Sequence, residues 1–281
     1  MIEAHPSVHL EINTYTNLQE RGKMVADWIE AAYWQIIVPL LGHLQRRSVE
    51  RYWIGLAAWS LRGAFPRLYR FHRENWEHLL NEIRAGQLKQ FSLIYKVLDE
   101  EGYPSLDSCT LQVHYLGLDF SGVAHRLVVN ISRSLYGPSF TREVQQQWVD
   151  VAKQAAVVLE AVTGYITVDH AGEMSPYEIS IALNPLEAGR QLRRRLRGYY
   201  WGNFLSREHI LRLGGMERIR REAPCYLVED LSEGRGERAY LQLTPDLDNF
   251  SDGALRALKE YLHSLLPPGE PRPYSLPLRV V

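Results

Sequence analysis

The chain has 281 residues, of which 46% are hydrophobic and 23% charged, and its 32 Lys and Arg against 33 Asp and Glu leave a formal net charge of -1. That length holds one large domain or two ordinary ones, and the composition excludes the polar, charge-heavy class that stays disordered. Near-neutrality excludes whole-molecule steering toward nucleic acid or an anionic membrane.

The only two cysteines, Cys109 and Cys225, stand far apart with no Cys-x-x-Cys spacing, so neither a zinc site nor a disulfide framework is signalled. Reduced thiols are expected. The first residues lack the basic start and apolar run of a signal peptide, and no stretch reads as the ~20 apolar residues of a membrane span. Cytoplasmic residence is the resulting expectation.

After a short polar lead, Val25, Trp28, Ile29, Trp34, Ile36, Ile37 and Leu40 recur at helical spacings, and Pro39 interrupts them, which predicts two helices or one kinked helix. An aromatic block follows from Tyr52 to Phe65; it reads as helix, with Tyr52 to Trp59 open to a strand reading. A helix is predicted from Arg73 to Arg84. Phe91, Ile94, Tyr95 and Leu98 repeat at three and four residues, the spacing of another amphipathic segment.

From Thr110 the period changes to two, and a strand to Leu116, a turn at 117–122 and a second strand over 124–132 form a predicted antiparallel hairpin. Ser139 or Thr141 caps a long helix with Val144, Trp148, Val151, Ala155, Val158 and Leu159 on its buried stripe, and Gly164 is its expected stop. Tyr165 begins a strand. A connecting segment over 176–195 ends in a run of arginines. Then come an aromatic strand from Gly198, a short helix from Ser206 to Leu213, strands through Cys225 and Ala239, and a final helix capped by Ser251 or Asp252. The order predicts an α+β fold: an antiparallel sheet with helices packed on one face, a helical N-terminal third (1–105) and an α+β region (106–281). The two belong to one compact unit, with two variations on a sheet-plus-helix theme.

Candidate chemistry is sparse. Asp169, His170 and Glu173 follow a strand, a common place for acid/base groups, but no nucleophile stands at defined spacing. They define an alternative reading as a small-molecule enzyme. His114 and His125 could meet across the hairpin, yet two ligands do not make a structural zinc site. Gly63, Gly214-Gly215 and Gly234-x-Gly236 do not form a phosphate loop. Arg193, Arg194, Arg195 and Arg197, followed by Tyr199, Tyr200 and Trp201, have the basic-aromatic composition of single-stranded nucleic-acid binders, a second alternative set against a solvated arginine run ahead of a buried strand. No cofactor or metal is expected. Glu229, Asp230, Glu233, Asp246, Asp248 and Asp252 gather acid in the C-terminal part, as a binder of a basic protein would.

The most distinctive stretch is Arg197-Gly-Tyr-Tyr-Trp-Gly-Asn-Phe-Leu with His209-Ile-Leu-Arg-Leu-Gly-Gly. It resembles bacterial immunity proteins of the polymorphic-toxin and type VI secretion world (the type VI immunity family, immunity-protein-52-like), which carry an aromatic strand, a helix, a Leu-Gly-Gly turn, a strand pair and a C-terminal helix. The resemblance covers the last third in motif and the middle third in layout. It implies stoichiometric neutralisation of a cognate toxin, of nuclease type by preference, through occlusion of its active site and without catalytic residues. It also implies that Tyr199 and Trp201 are core anchors and that Gly214-Gly215 sets a turn. A homodimer stays open. Against the basic cleft of a nuclease, the six carboxylates named above are the expected partner-binding residues.

Overall fold

Strand β1, Ser7–Thr14, lies in the interior of a ten-stranded, fully antiparallel sheet, hydrogen-bonded to a neighbour on each side. This computed structural model describes residues 7–46, 51–168, 176–232, 236–249 and 251–269. The sequence reading took β1 for a polar lead. Its even positions Val8, Leu10 and Ile12 are fully buried, and so are its odd positions His9, Glu11 and Asn13 or nearly so. Both faces of the strand are therefore covered.

After β1 come α1 (Gly22–Ala32), a π-helical turn (Tyr33–Ile37) and α2 (Val38–Arg46). They form one continuous run in which the wide turn precedes Pro39. Proline has no amide to donate and crowds the turn before it, which accounts for the irregularity at that point. The segment Gly22–Leu44 is long and apolar enough to cross a membrane, although the sequence reading found no such stretch. Here Val25, Trp28, Ile29, Ile36 and Ile37 are buried in the core.

Next are β2 (Tyr52–Ser60), β3 (Arg67–Arg70), α3 (Arg73–Arg84), β4 (Leu88–Leu98) and β5 (Pro104–His114). Thus the helical N-terminal region is interleaved with strands, and residue 105 falls inside β5. The helical spacing over 88–101 misleads: Phe91, Leu93 and Tyr95 are the buried positions, at a period of two. A short α4 (Leu116–Asp119) leads to β6 (His125–Ser132), which completes the predicted hairpin in antiparallel register. After α5 (Arg133–Tyr136), the helix α6 (Arg142–Val158) lies over β1 and the next strand, β7 (Thr163–Thr167). Glu160, at φ 54, makes the left-handed stop after α6; Gly164 sits within β7 instead.

The remaining elements are α7 (Pro176–Ser180), α8 (Pro185–Arg190), β8 (Gly202–Ser206), α9 (Arg207–Arg212), α10 (Met216–Glu222), β9 (Leu227–Asp230), β10 (Arg238–Gln242) and α11 (Asp252–Leu262). Strand order across the sheet is β3-β2-β4-β5-β6-β1-β7-β8-β10-β9. Residues paired across an antiparallel ladder share a face. One face therefore collects Leu10, Val129, Leu111, Leu93 and Leu56 in register, continued by Ile166 on β7. The other face is polar through its middle. Three buried tryptophans, Trp28, Trp148 and Trp201, anchor the core, and the indole N–H groups of two have partners: Trp148 donates to the Tyr136 hydroxyl at 3.0 Å and Trp201 to the Thr244 carbonyl at 3.0 Å. The Trp28 indole N–H is buried without a hydrogen-bond partner among the described residues, so that ring buries its area at the cost of a stranded donor.

Candidate partner-binding surfaces

The densest group of ionisable side chains sits on the polar face of β1 and is sealed from solvent. Glu11, 0% exposed, accepts from the Arg126 guanidinium at 2.7 Å, from Asn13 at 2.8 Å, from the Tyr165 hydroxyl at 3.2 Å and from Arg197. Arg197 also donates through Nε to Glu178 at 2.8 Å, and Glu178 comes from α7 on the covering layer. His9 lies 3.6 Å from Glu11 and 3.2 Å from the Asn130 side chain, and its ring stacks on Tyr165, which in turn stacks on Tyr200 at 4.0 Å.

Electrostatics in this cluster balance. Burial alone would raise the Glu11 carboxyl, but the Arg126 and Arg197 guanidiniums more than offset it and hold the group well below the usual carboxylate range. Burial lowers His9 and raises the Tyr165 phenol well above its ordinary value. Among the described residues the cluster thus contains two carboxylates, two guanidiniums, a depressed imidazole and a neutral phenol. Because Arg197 and Glu178 both come from the covering layer, 176–200, while Glu11 and Arg126 come from the sheet, the cluster clamps that layer onto the sheet.

Arg197, Tyr199, Tyr200 and Trp201 are 4%, 7%, 5% and 1% exposed, which makes the aromatic stretch core, as the resemblance implies. The same burial removes these rings from nucleic-acid stacking, so the basic-aromatic reading fails on its aromatic half. Gly214 and Gly215, at φ 93 and 92, do form a turn only glycine adopts easily. Asp169, His170, Glu173 and Glu233 lie outside the described residues. His114 is paired with Arg126 in the hairpin register, and His125 turns to the other side of its strand beside Gly117, so the two imidazoles do not converge. Among the described residues no group of His, Cys, Asp and Glu could hold a metal ion. Cys109 and Cys225 are both free; burial raises both thiols, Cys225 up to about 12.

The predicted carboxylates are dispersed and mostly engaged. Glu229 and Asp230 lie on the edge strand β9, the first bonded to Lys153 at 2.6 Å and the second to Arg220 at 3.1 Å. Asp246 accepts from Gln145 at 3.2 Å and from the Asp248 amide at 2.8 Å, holding the loop after β10 against α6, while Asp248 pairs with Arg133. Asp252 is in the first turn of α11, which Ser251 caps. A surface carboxylate beside its own cation contributes little field.

A more open acidic surface occurs where the sequence reading placed only a helix end. The β4–β5 turn carries Asp99, Glu100 and Glu101, all exposed and without an ion pair among the described residues. Gly102, at φ 88, shapes the turn, and the Asp99 carboxylate accepts from the Tyr103 amide at 2.7 Å. Beside it begins β2: Tyr52 and Trp53 are 44% and 43% exposed, and Tyr103 is 69% exposed. Tyr52 stacks on Tyr95, and Trp53 lies over Gly55, where an added Cβ would stand 2.1 Å from the ring. The rings are held rather than loose. Leu68 on β3 and Phe65 before it extend exposed apolar surface along the hairpin. The available signal was the Asp-Glu-Glu-Gly-Tyr-Pro run from Asp99 to Pro104, which marks a turn with acid on its tip.

No protein-family model matches the chain, and no curated protein matches it. Among solved structures, 93% of the chain aligns with 76% of the Pseudomonas aeruginosa T6SS protein PA0821, with a TM-score of 0.58 and 10% identity. At that identity the likeness is one of fold: an α+β antiparallel sheet with helices.

Proposed function

We propose that this protein is an immunity protein that binds a cognate type VI secretion or other polymorphic toxin in the cytoplasm and blocks its active site without turnover. The fold it shares with a T6SS protein and the aromatic strand, helix and Gly-Gly turn support the reading. The observation that carries it is the acidic turn 99–103 set beside exposed Tyr103 and exposed Trp53, which is braced over Gly55, with Tyr52 on the opposite face of β2.

Interfaces draw most of their energy from a few Trp, Tyr and Arg anchors, and complementary charge speeds encounter. A nuclease that binds nucleic acid presents a basic groove. Asp99, Glu100 and Glu101, which form no ion pair among the described residues, suit that groove, and the neighbouring Trp53 and Tyr103 rings supply anchors. The surface therefore fits a nuclease toxin better than the ion-paired carboxylates of β9 do.

The test is co-expression with a toxin domain identified in the open reading frames that flank this gene. Restored growth, a one-to-one complex on size exclusion and loss of nuclease activity in proportion to added protein are the expected results. Growth arrest that persists despite soluble, folded protein would reject the reading.

A further inference from the structure

A second surface has the opposite sign. Arg190, Arg193, Arg194, Arg195 and Arg212 line a shallow depression of about 730 Å³ next to the end of α8. Among the described residues the ion pairs formed there are those of Arg190 with Glu187 at 3.8 Å and Arg193 with Glu208 at 3.0 Å, so five guanidiniums meet two carboxylates on a chain whose net charge is -1. Arg194 is exposed and meets no carboxylate among the described residues.

The loop that carries these arginines is rigidly pinned. The Tyr15 hydroxyl donates to the Gly189 carbonyl at 2.9 Å and accepts from the Leu192 amide at 3.1 Å, the Ala124 amide reaches Gly189 at 3.1 Å, and the Leu196 amide reaches Leu265 at 2.8 Å. Arg193 lies over the Tyr15 ring at 5.3 Å, Arg195 donates to the Leu266 carbonyl at 2.7 Å, and Arg212 is held by the carbonyls of Arg194 and Ser264. Pre-positioned forks lose less entropy on meeting carboxylates.

The depression adjoins a slot of about 310 Å³ that shares Gln191 and Arg195 with it and is lined by Leu183, Ala188, Leu192, Leu196, Pro267 and Pro268, together with Arg197 and with Glu187, which is paired to Arg190. Carboxylate recognition and an aliphatic pocket thus stand side by side. We propose that this composite surface binds an acidic, leucine-bearing peptide segment of a partner protein. Nucleic acid fits less well, because the rings it would stack on, Tyr199, Tyr200 and Trp201, are buried and Tyr15 is already covered by Arg193. The inference goes beyond the immunity reading and does not depend on it.

The probe is a short fluorescein-labelled peptide of alternating glutamate and leucine, followed by anisotropy against the full chain. Comparators are the same peptide with serine for leucine and a labelled single-stranded oligodeoxynucleotide. Saturable, salt-sensitive binding is expected, weakened about tenfold or more by serine and by the double variant R190E/R194E, whose thermal unfolding should match the parent. Absence of binding at low salt, indifference to R190E/R194E or to leucine, or tighter binding of the oligonucleotide would overturn it. Toxin rescue by R190E/R194E is scored separately, so failure here leaves the immunity reading standing.

Discussion

The carboxylate of Glu11 and the guanidinium of Arg197, 186 residues apart in the chain, meet as a buried ion pair between the middle of the sheet and the layer that covers it. Removing one member of such a pair strands the other in a medium that solvates it poorly. Glu11→Gln removes the carboxylate that both Arg126 and Arg197 engage and should cost about 3–5 kcal/mol in urea unfolding. The double variant E11Q/R197M should lose less than the sum of the single losses, because the two changes share one interaction. A single variant within about 1 kcal/mol of the parent would contradict the clamp.

Acid should destabilise the fold before ordinary carboxylates titrate. Burial depresses His209 to about 4, and it also lowers His9. The unfolded chain takes up protons near pH 6.5 that these buried imidazoles refuse, so stability is full above that pH and falls toward pH 4. For His209 alone the loss reaches about 3 kcal/mol at the acid end. Glu11, held below its ordinary value, adds a further loss below about pH 4.5. His209→Gln retains a side chain able to reach back to the Ser206 amide, as His209 does now, but does not titrate. Melting temperatures measured from pH 7.5 to 4.5 should therefore fall less steeply in that variant, and an unchanged slope would count against His209.

Local patterns and local structure agree where one face of an element meets solvent. The hairpin of β5 and β6 was legible from alternation, α6 and α11 from period and capping residues, and α3 from its span ahead of Gly86. β1 carries the same alternation in Val8, Leu10 and Ile12 and was missed nonetheless; what no local window shows is that His9, Glu11 and Asn13 are buried too, by a layer some 170–190 residues later in the chain. β4 escaped because Phe91, Ile94, Tyr95 and Leu98 satisfy helical spacing, while Phe91 and Tyr95 also fall on the period-two stripe with Leu93. Of the site, the aromatic stretch was correctly assigned to the core. The acidic turn was overlooked because its neighbours, Tyr52 and Trp53, come from a strand paired to β4, a juxtaposition that no window of sequence contains.

Close backbone approach makes Gly22 a sharp test of the packing of α1 on α3. A Cβ there would stand 2.3 Å from the Ile83 carbonyl oxygen and 2.7 Å from that of Arg84, neither of which can rotate away. Gly22→Ala should force the helices apart and cost about 2 kcal/mol or more, visible as a lower melting temperature. At Gly55 the obstacle is the mobile end of Trp53, so Gly55→Ala should cost less, about 1 kcal/mol. Equal losses at the two positions would refute this distinction.

The proposed toxin-facing surface and the carboxylates of β9 can be told apart kinetically. Six to seven strand spacings separate the β4–β5 turn from β9, roughly 30 Å across the sheet. An ordinary interface of about 800 Å² on this partner extends about 16 Å from its centre, so a patch centred on Trp53 does not reach β9. Glu100→Lys with Glu101→Lys should slow association with the toxin about tenfold at low salt and leave dissociation nearly unchanged, since these side chains steer rather than anchor. Trp53→Ala should do the reverse, raising the dissociation rate by removing an anchor. Glu229→Lys with Asp230→Lys should leave both rates near the parent values. If the β9 pair instead slows association and the turn variants do not, the interface belongs at the other edge of the sheet.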